Sequence, residues 1–141
     1  AHKEKLHDIP VQNGAVLIYS DFITANGEVV VPPLSAKRNS EKKVYISLPG
    51  NREPCILVSR SSGKNIKCAL YLEPPFDYLA ENHINVITGP VNALKDVYNS
   101  LMSPETKTYL IETMGTVNLS KTQLLKLPYF GVQQEVEIVL E

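Results

Sequence analysis

Cys55 follows Pro54, and His83 is the histidine that stands in the densest polar cluster of the chain. A thiolate with an imidazole as its base would be a nucleophilic pair. The ordinary role of a cysteine inside an apolar run is inert burial, and Cys55 opens the run Cys55-Ile56-Leu57-Val58. A metal site has weaker support. His2, His7 and His83 are scattered, Cys55 and Cys68 lie far apart, and no Cys-x-x-Cys occurs. The polar cluster itself, Glu81-Asn82-His83-Ile84-Asn85, enters a strand. Its side chains either meet a ligand or satisfy the backbone groups of the turn, and the turn reading is the stronger. On that reading Asn82 braces the fold.

Charge is distributed unevenly. Residues 37–67 hold eight cations, Lys37, Arg38, Lys42, Lys43, Arg52, Arg60, Lys64 and Lys67, against Glu41 and Glu53, a local balance of +6. The whole chain carries −1, so the remainder carries −7. A cationic block on a near-neutral chain is the footprint of a local polyanion site, or simply the solvated face of strands and turns. Glu73-Pro74-Pro75-Phe76 follows a strand. Enzymes that methylate amino groups carry Asp, Asn or Ser before Pro-Pro-aromatic, where the short side chain and the proline carbonyl accept from the target amine. Glu73 is a methylene too long, and no two of the seven glycines form Gly-x-Gly. A glycine-rich cofactor turn, a dinucleotide fingerprint and a P-loop are therefore absent, and the double proline reads as a strand terminator.

These residues hang on elements that read as strands first and helices last. Residues 15–23 and 28–31 flank Asn26-Gly27 and read as a hairpin. Pro32-Pro33 stops it, 34–42 is a basic loop, and 44–48 is a short strand closed by Pro49-Gly50. Residues 55–60 and 67–72 form a second hairpin, with Cys55, Leu57 and Ser59 on one face and Ile56, Val58 and Arg60 on the other. Residues 84–87 form a further strand. Val91, Leu94, Val97, Tyr98 and Leu101 follow helical spacing. Ser103-Pro104 starts a second helix that buries Leu110, Ile111 and Met114 and stops at Gly115. Ser120-Lys121-Thr122-Gln123 is a capping box with Leu119 and Leu124 at the staple positions, ahead of Pro128. Residues 132–141 fit strand and helix equally.

The 141 residues, 43% hydrophobic and 21% charged, suffice for one domain with a core of its own. The expected fold is a single α+β domain: an antiparallel or mixed sheet from the N-terminal two-thirds and two to three helices in the C-terminal third. No apolar run approaches the ~20 residues that span a membrane, and two cysteines are no disulfide framework. The expectation is a cytoplasmic domain cut from a longer parent.

Four segments taken in order are Arg52-Glu53-Pro54-Cys55-Ile56-Leu57-Val58-Ser59-Arg60, Glu81-Asn82-His83-Ile84-Asn85-Val86-Ile87, Tyr98-Asn99-Ser100, and Leu119-Ser120-Lys121-Thr122-Gln123-Leu124-Leu125-Lys126-Leu127-Pro128. Their succession resembles the C-terminal target-recognition region of N6-adenine-specific DNA methyltransferases of bacterial restriction–modification systems, Type II modification enzymes above all. The resemblance covers about residues 14–130, which leaves 1–13 as a flexible lead-in and 131–141 as a truncated extension. It implies a DNA-reading domain with no catalytic residues. S-adenosylmethionine would be held by the catalytic domain of the same parent chain, which with double-stranded DNA is the implied partner. Lys37, Arg38, Lys42, Lys43, Arg60, Lys64 and Lys67 would face DNA. Arg52, Glu81, Asn82, His83, Asn85 and Ser120 would serve the family motifs, structurally or on DNA. The alternatives are the target-recognition domain of a Type I specificity subunit, a small enzyme using Cys55 or His83, and a protein-interaction domain that touches no nucleic acid.

Overall fold

A computed structural model describes residues 5–31, 43–60, 65–115 and 117–129, and the backbone of 137–140. The architecture is α+β, with the helices in the C-terminal part, as the sequence pattern predicts. Among the described residues the strands form two four-stranded sheets. In the first, β1 (Leu6–His7), β3 (Tyr45–Ile46), β2 (Ala15–Ile18) and β6 (Tyr78–Ala80) lie in that order, and β2 pairs with β6 in parallel. In the second, β5 (Cys68–Tyr71), β4 (Cys55–Ser59), β7 (Ile84–Thr88) and β8 (Glu137–Leu140) are antiparallel throughout. Leu6–His7 and Glu137–Leu140 thus pair into sheets from beyond both ends of the expected 14–130 unit.

The second sheet is the middle of three layers. Cys55 and Leu57 of β4, with Ile84 and Val86 of β7, face the first sheet, where they meet Val16, Ile18, Phe22, Tyr78 and Ala80. Ile56, Val58 and Ile87 face the helices α1 (Val91–Leu101), α2 (Pro104–Met114) and α3 (Lys121–Lys126), meeting Leu94, Leu101, Leu110 and Leu124. The strand alternation read from residues 55–60 is therefore real, but both faces are dry. All five β4 residues are buried. A sheet covered on both sides needs a continuous apolar run, which Cys55-Ile56-Leu57-Val58 supplies.

The helix punctuation is as expected. The Ser103 hydroxyl accepts from the Thr106 N–H, Pro104 opens α2, and Gly115 closes it in the left-handed conformation. Ser120 Oγ accepts from the Gln123 N–H, and Leu119 and Leu124 are both fully buried. Met114 departs from expectation: it is 37% exposed, because the buried stripe of α2 runs through Thr106 and Leu110.

The expected hairpin over 15–31 is smaller than the sequence suggests. β2 ends at Ile18, and Ser20–Phe22 is one turn of 3-10 helix. Only an Ile23–Val29 bridge remains around the Asn26-Gly27 turn. Ser20 and Asp21 break the alternation that would have carried the strand to Ile23. Gly27 holds φ +79°, and a Cβ there would run into the Tyr98 hydroxyl. Gly27→Ala therefore combines backbone strain with a clash against α1. It is expected to cost about 2–3 kcal/mol, read as a lower urea midpoint; an unchanged midpoint would show that the turn adjusts freely.

Candidate nucleic-acid interface

The C-terminal end of β4 is where distant segments meet. The Arg60 N–H donates to the His83 carbonyl at 2.9 Å, and the Leu119 N–H donates to the Arg60 carbonyl at 2.6 Å. The Leu119 carbonyl in turn accepts from Asn85 Nδ2 at 2.6 Å. Residue 60 thus ties the 81–85 segment to the start of α3 through its backbone, which leaves its guanidinium exposed in solvent.

Beside this junction lies a hollow of about 400 Å³ lined by Tyr19, Ser20, Asp21, Ser59, Lys67, Glu81 and His83. It opens where residues 81–83 cross from β6 in the first sheet to β7 in the second. The Glu81 N–H donates to the Ile18 carbonyl, which anchors the crossing. The Glu81 carboxylate then accepts from the His83 backbone N–H at 3.0 Å and lies 2.9 Å from His83 Nδ1 through both oxygens. Ser20 Oγ and Ser59 Oγ are 2.7 Å apart. Ser59 faces Lys67 across the β4–β5 ladder and donates its N–H to the Lys67 carbonyl at 2.9 Å. The Tyr19 hydroxyl donates to the Lys43 carbonyl at 2.8 Å, so the chain bearing Lys43 runs along one wall.

Of the seven cations expected to face DNA, Lys43, Arg60 and Lys67 fall among the described residues, and all three belong to this end of the molecule. Lys37, Arg38, Lys42 and Lys64 lie outside the described residues. Arg52 does not join them. It precedes β4 at the opposite end, a strand length of roughly 17 Å away, and pairs with Asp77 at 2.8 Å. With side chains 60% and 50% exposed, that pair contributes little to stability.

The motif residues divide by role. Ser120 caps α3. Glu81 and His83 shape the hollow. Asn85 is fully buried on the helix side of β7 and holds Leu119. Asn82 is exposed on the turn, so the expectation that it braces the fold is corrected: Asn85 has that role, and Asn82→Ala is a surface change worth under about 0.5 kcal/mol. Tyr19, Ser20 and Asp21 were absent from the sequence-based site. The signal that marks them is the polar Ser-Asp pair between Tyr19 and Phe22.

The cysteine chemistry does not assemble. In the β4–β7 ladder Cys55 pairs with Thr88 and Ser59 with Ile84. His83 therefore stands about five residues from Cys55 along the sheet, on the order of 15 Å at the strand rise. Cys55 is fully buried, and its sulfur accepts from the Tyr78 hydroxyl at 2.9 Å. Burial pushes the Cys68 thiol up to about 12, away from the thiolate. Both thiols are expected to resist iodoacetamide in the folded protein and to react on denaturation; rapid labelling of the native protein would contradict this packing. Among the described residues no group of three or more His, Cys, Asp or Glu side chains could hold a metal ion, and no helix is long and apolar enough to cross a membrane.

The chain matches no protein-family model, no curated protein and no solved structure.

Proposed function

We propose that this chain is the sequence-specific DNA-recognition domain of an N6-adenine-specific DNA methyltransferase from a restriction–modification system of Type II. In this reading a separate catalytic domain of the same parent holds S-adenosylmethionine and methylates an adenine flipped from the duplex. This domain holds and reads the flanking sequence in the cytoplasm.

The observation that carries the reading is the junction at Arg60. Three of the four segments that resemble the family, residues 52–60, 81–87 and 119–128, converge there through two backbone hydrogen bonds and the Asn85 amide. Segments that share a pattern because they build one surface should meet in space, and these do. The exposed Arg60 guanidinium and the adjacent Lys67 and Lys43 give that surface positive charge.

Cognate duplex titrated at several salt concentrations tests the assignment of this face. Lys43→Ala and Lys67→Ala are expected to weaken binding evenly across sequences, and each to flatten the salt slope by roughly 0.9 where a phosphate contact is lost. Arg60→Ala is expected to relax discrimination at one base position by about 1–3 kcal/mol, since arginine reads guanine bidentately. If all three changes, together with neutralisation of Lys37, Arg38, Lys42 and Lys64, leave affinity and salt slope untouched, DNA binds elsewhere or not at all.

A further inference from the structure

We propose that the hollow between the sheet ends is a base-reading site, in which His83 Nε2 accepts a hydrogen bond from an exocyclic amino group, cytosine N4 or adenine N6. The inference rests on the DNA reading above and assigns a specificity to one residue of that face.

The argument starts from the Glu81 carboxylate. An ionised carboxylate only accepts. His83 Nδ1 sits 2.9 Å from both of its oxygens, so Nδ1 carries the proton. The accepting form is the neutral ring, in which Nε2 then holds the lone pair; a protonated ring would donate from Nε2 and select guanine or thymine instead. The backbone N–H of His83 is bound to the same carboxylate, and its carbonyl is bound to the Arg60 N–H. Backbone and ring are thus fixed together, while the side chain remains 77% exposed. A positioned acceptor of this kind is what base readout requires.

The surroundings select the ligand class. Asp21 and Glu81 both line the hollow, which brings carboxylate oxygens beside the imidazole. Lys67 shares the lining, and Arg60 stands at the junction beside it, so cations able to meet the phosphate backbone lie near the imidazole. The Nε2 lone pair and the neighbouring carboxylates favour a hydrogen-bond donor at the imidazole. In the major groove the donors are the amino groups of adenine and cytosine, whereas guanine and thymine present acceptors. An acceptor at His83 Nε2 welcomes the first pair and repels the second. Glu81 is a positioning residue that acts through the imidazole.

The test is selection of duplexes from a random library by the 141-residue chain, followed by sequencing of the bound pool. The wild type is expected to favour adenine or cytosine over guanine or thymine at one position by roughly 5-fold, the low end of the range for a good bidentate contact, since Nε2 makes a single bond. His83→Ala is expected to flatten that position to within about twofold and leave the other positions of the motif intact. Because His83 is exposed, this variant should melt as the wild type does. Glu81→Ala should flatten the same position, whereas Glu81→Gln, which keeps an oxygen acceptor for Nδ1–H, should retain part of the preference. A motif unchanged by His83→Ala, or guanine or thymine selected at the position that His83→Ala affects, overturns the inference while leaving DNA recognition standing. A wild-type chain that binds no duplex overturns the DNA reading and the inference with it.

Discussion

Asn85→Asp is expected to lower stability by about 3–5 kcal/mol at neutral pH, the cost of leaving an uncompensated charge in the interior, and to depress the melting temperature on the order of 15 °C. Asn85 is fully buried, and its amide N–H donates to the Leu119 carbonyl at 2.6 Å. A carboxylate has no proton to offer that carbonyl and places negative charge against it. Asn85 Oδ1 finds no donor among the described residues, so nothing there neutralises the new charge. Burial without a donor raises the folded-state pKa of the introduced carboxyl above the unfolded value of about 3.9. In the folded protein it therefore holds its proton, and can still donate to Leu119, up to a higher pH before the charge appears. The folded state then binds more protons than the unfolded one, so stability falls as pH rises. The deficit should be smallest below about pH 4 and grow until the folded-state carboxyl ionises. Melting curves of both proteins from pH 3 to 8 check this. A deficit independent of pH would mean that Asn85 acts by shape alone. Asn85→Ala, which only orphans the Leu119 carbonyl, should cost less, about 1–3 kcal/mol.

Leu57→Ala should cost about 4 kcal/mol, in the upper part of the range for a buried leucine truncated to alanine. Leu57 is fully buried at the centre of β4 and faces the first sheet. Its strand is paired on both sides, to Ala69 of β5 and Val86 of β7, and is covered by the first sheet on one face and the helices on the other. With every direction occupied by regular structure, the vacated volume cannot collapse. Leu125→Ala is the control: that side chain is 64% exposed, and the change should stay within about 0.5 kcal/mol. Urea unfolding separates the two, with a lower midpoint and an unchanged m-value for Leu57→Ala. Equal effects would contradict the placement of the second sheet as the middle layer.

What the sequence made legible was what local interactions decide. The Ser103-Pro104 start, the Gly115 stop and the Ser120 cap are settled by side chains within three or four residues of the backbone groups they serve. The two faces of β4 follow from strand alternation. The strand β6 escaped notice because Tyr78–Ala80 is three residues long, too short for a period, and its pairing with β2 is parallel and distant in sequence. The division into two sheets was hidden for the same reason: which strands share a sheet is fixed by packing across the whole chain. The choice between Asn82 and Asn85 was within reach. In Ile84-Asn85-Val86-Ile87 both faces carry apolar residues, which marks a strand buried on both sides and places Asn85 inside. The hollow needed the fold itself, since Ser20, Ser59 and Glu81 come from three separate strand ends.

Binding of duplex DNA by the 141-residue chain across a salt series from about 50 to 300 mM tests DNA recognition most directly. Recognition through the β4 end predicts saturable binding, with log K falling linearly against log salt at a slope between about −3 and −6. That is roughly 0.9 for each phosphate met by three to seven of the cations Lys37, Arg38, Lys42, Lys43, Arg60, Lys64 and Lys67. No saturable binding at 50 mM salt, or a slope indistinguishable from zero, would contradict it.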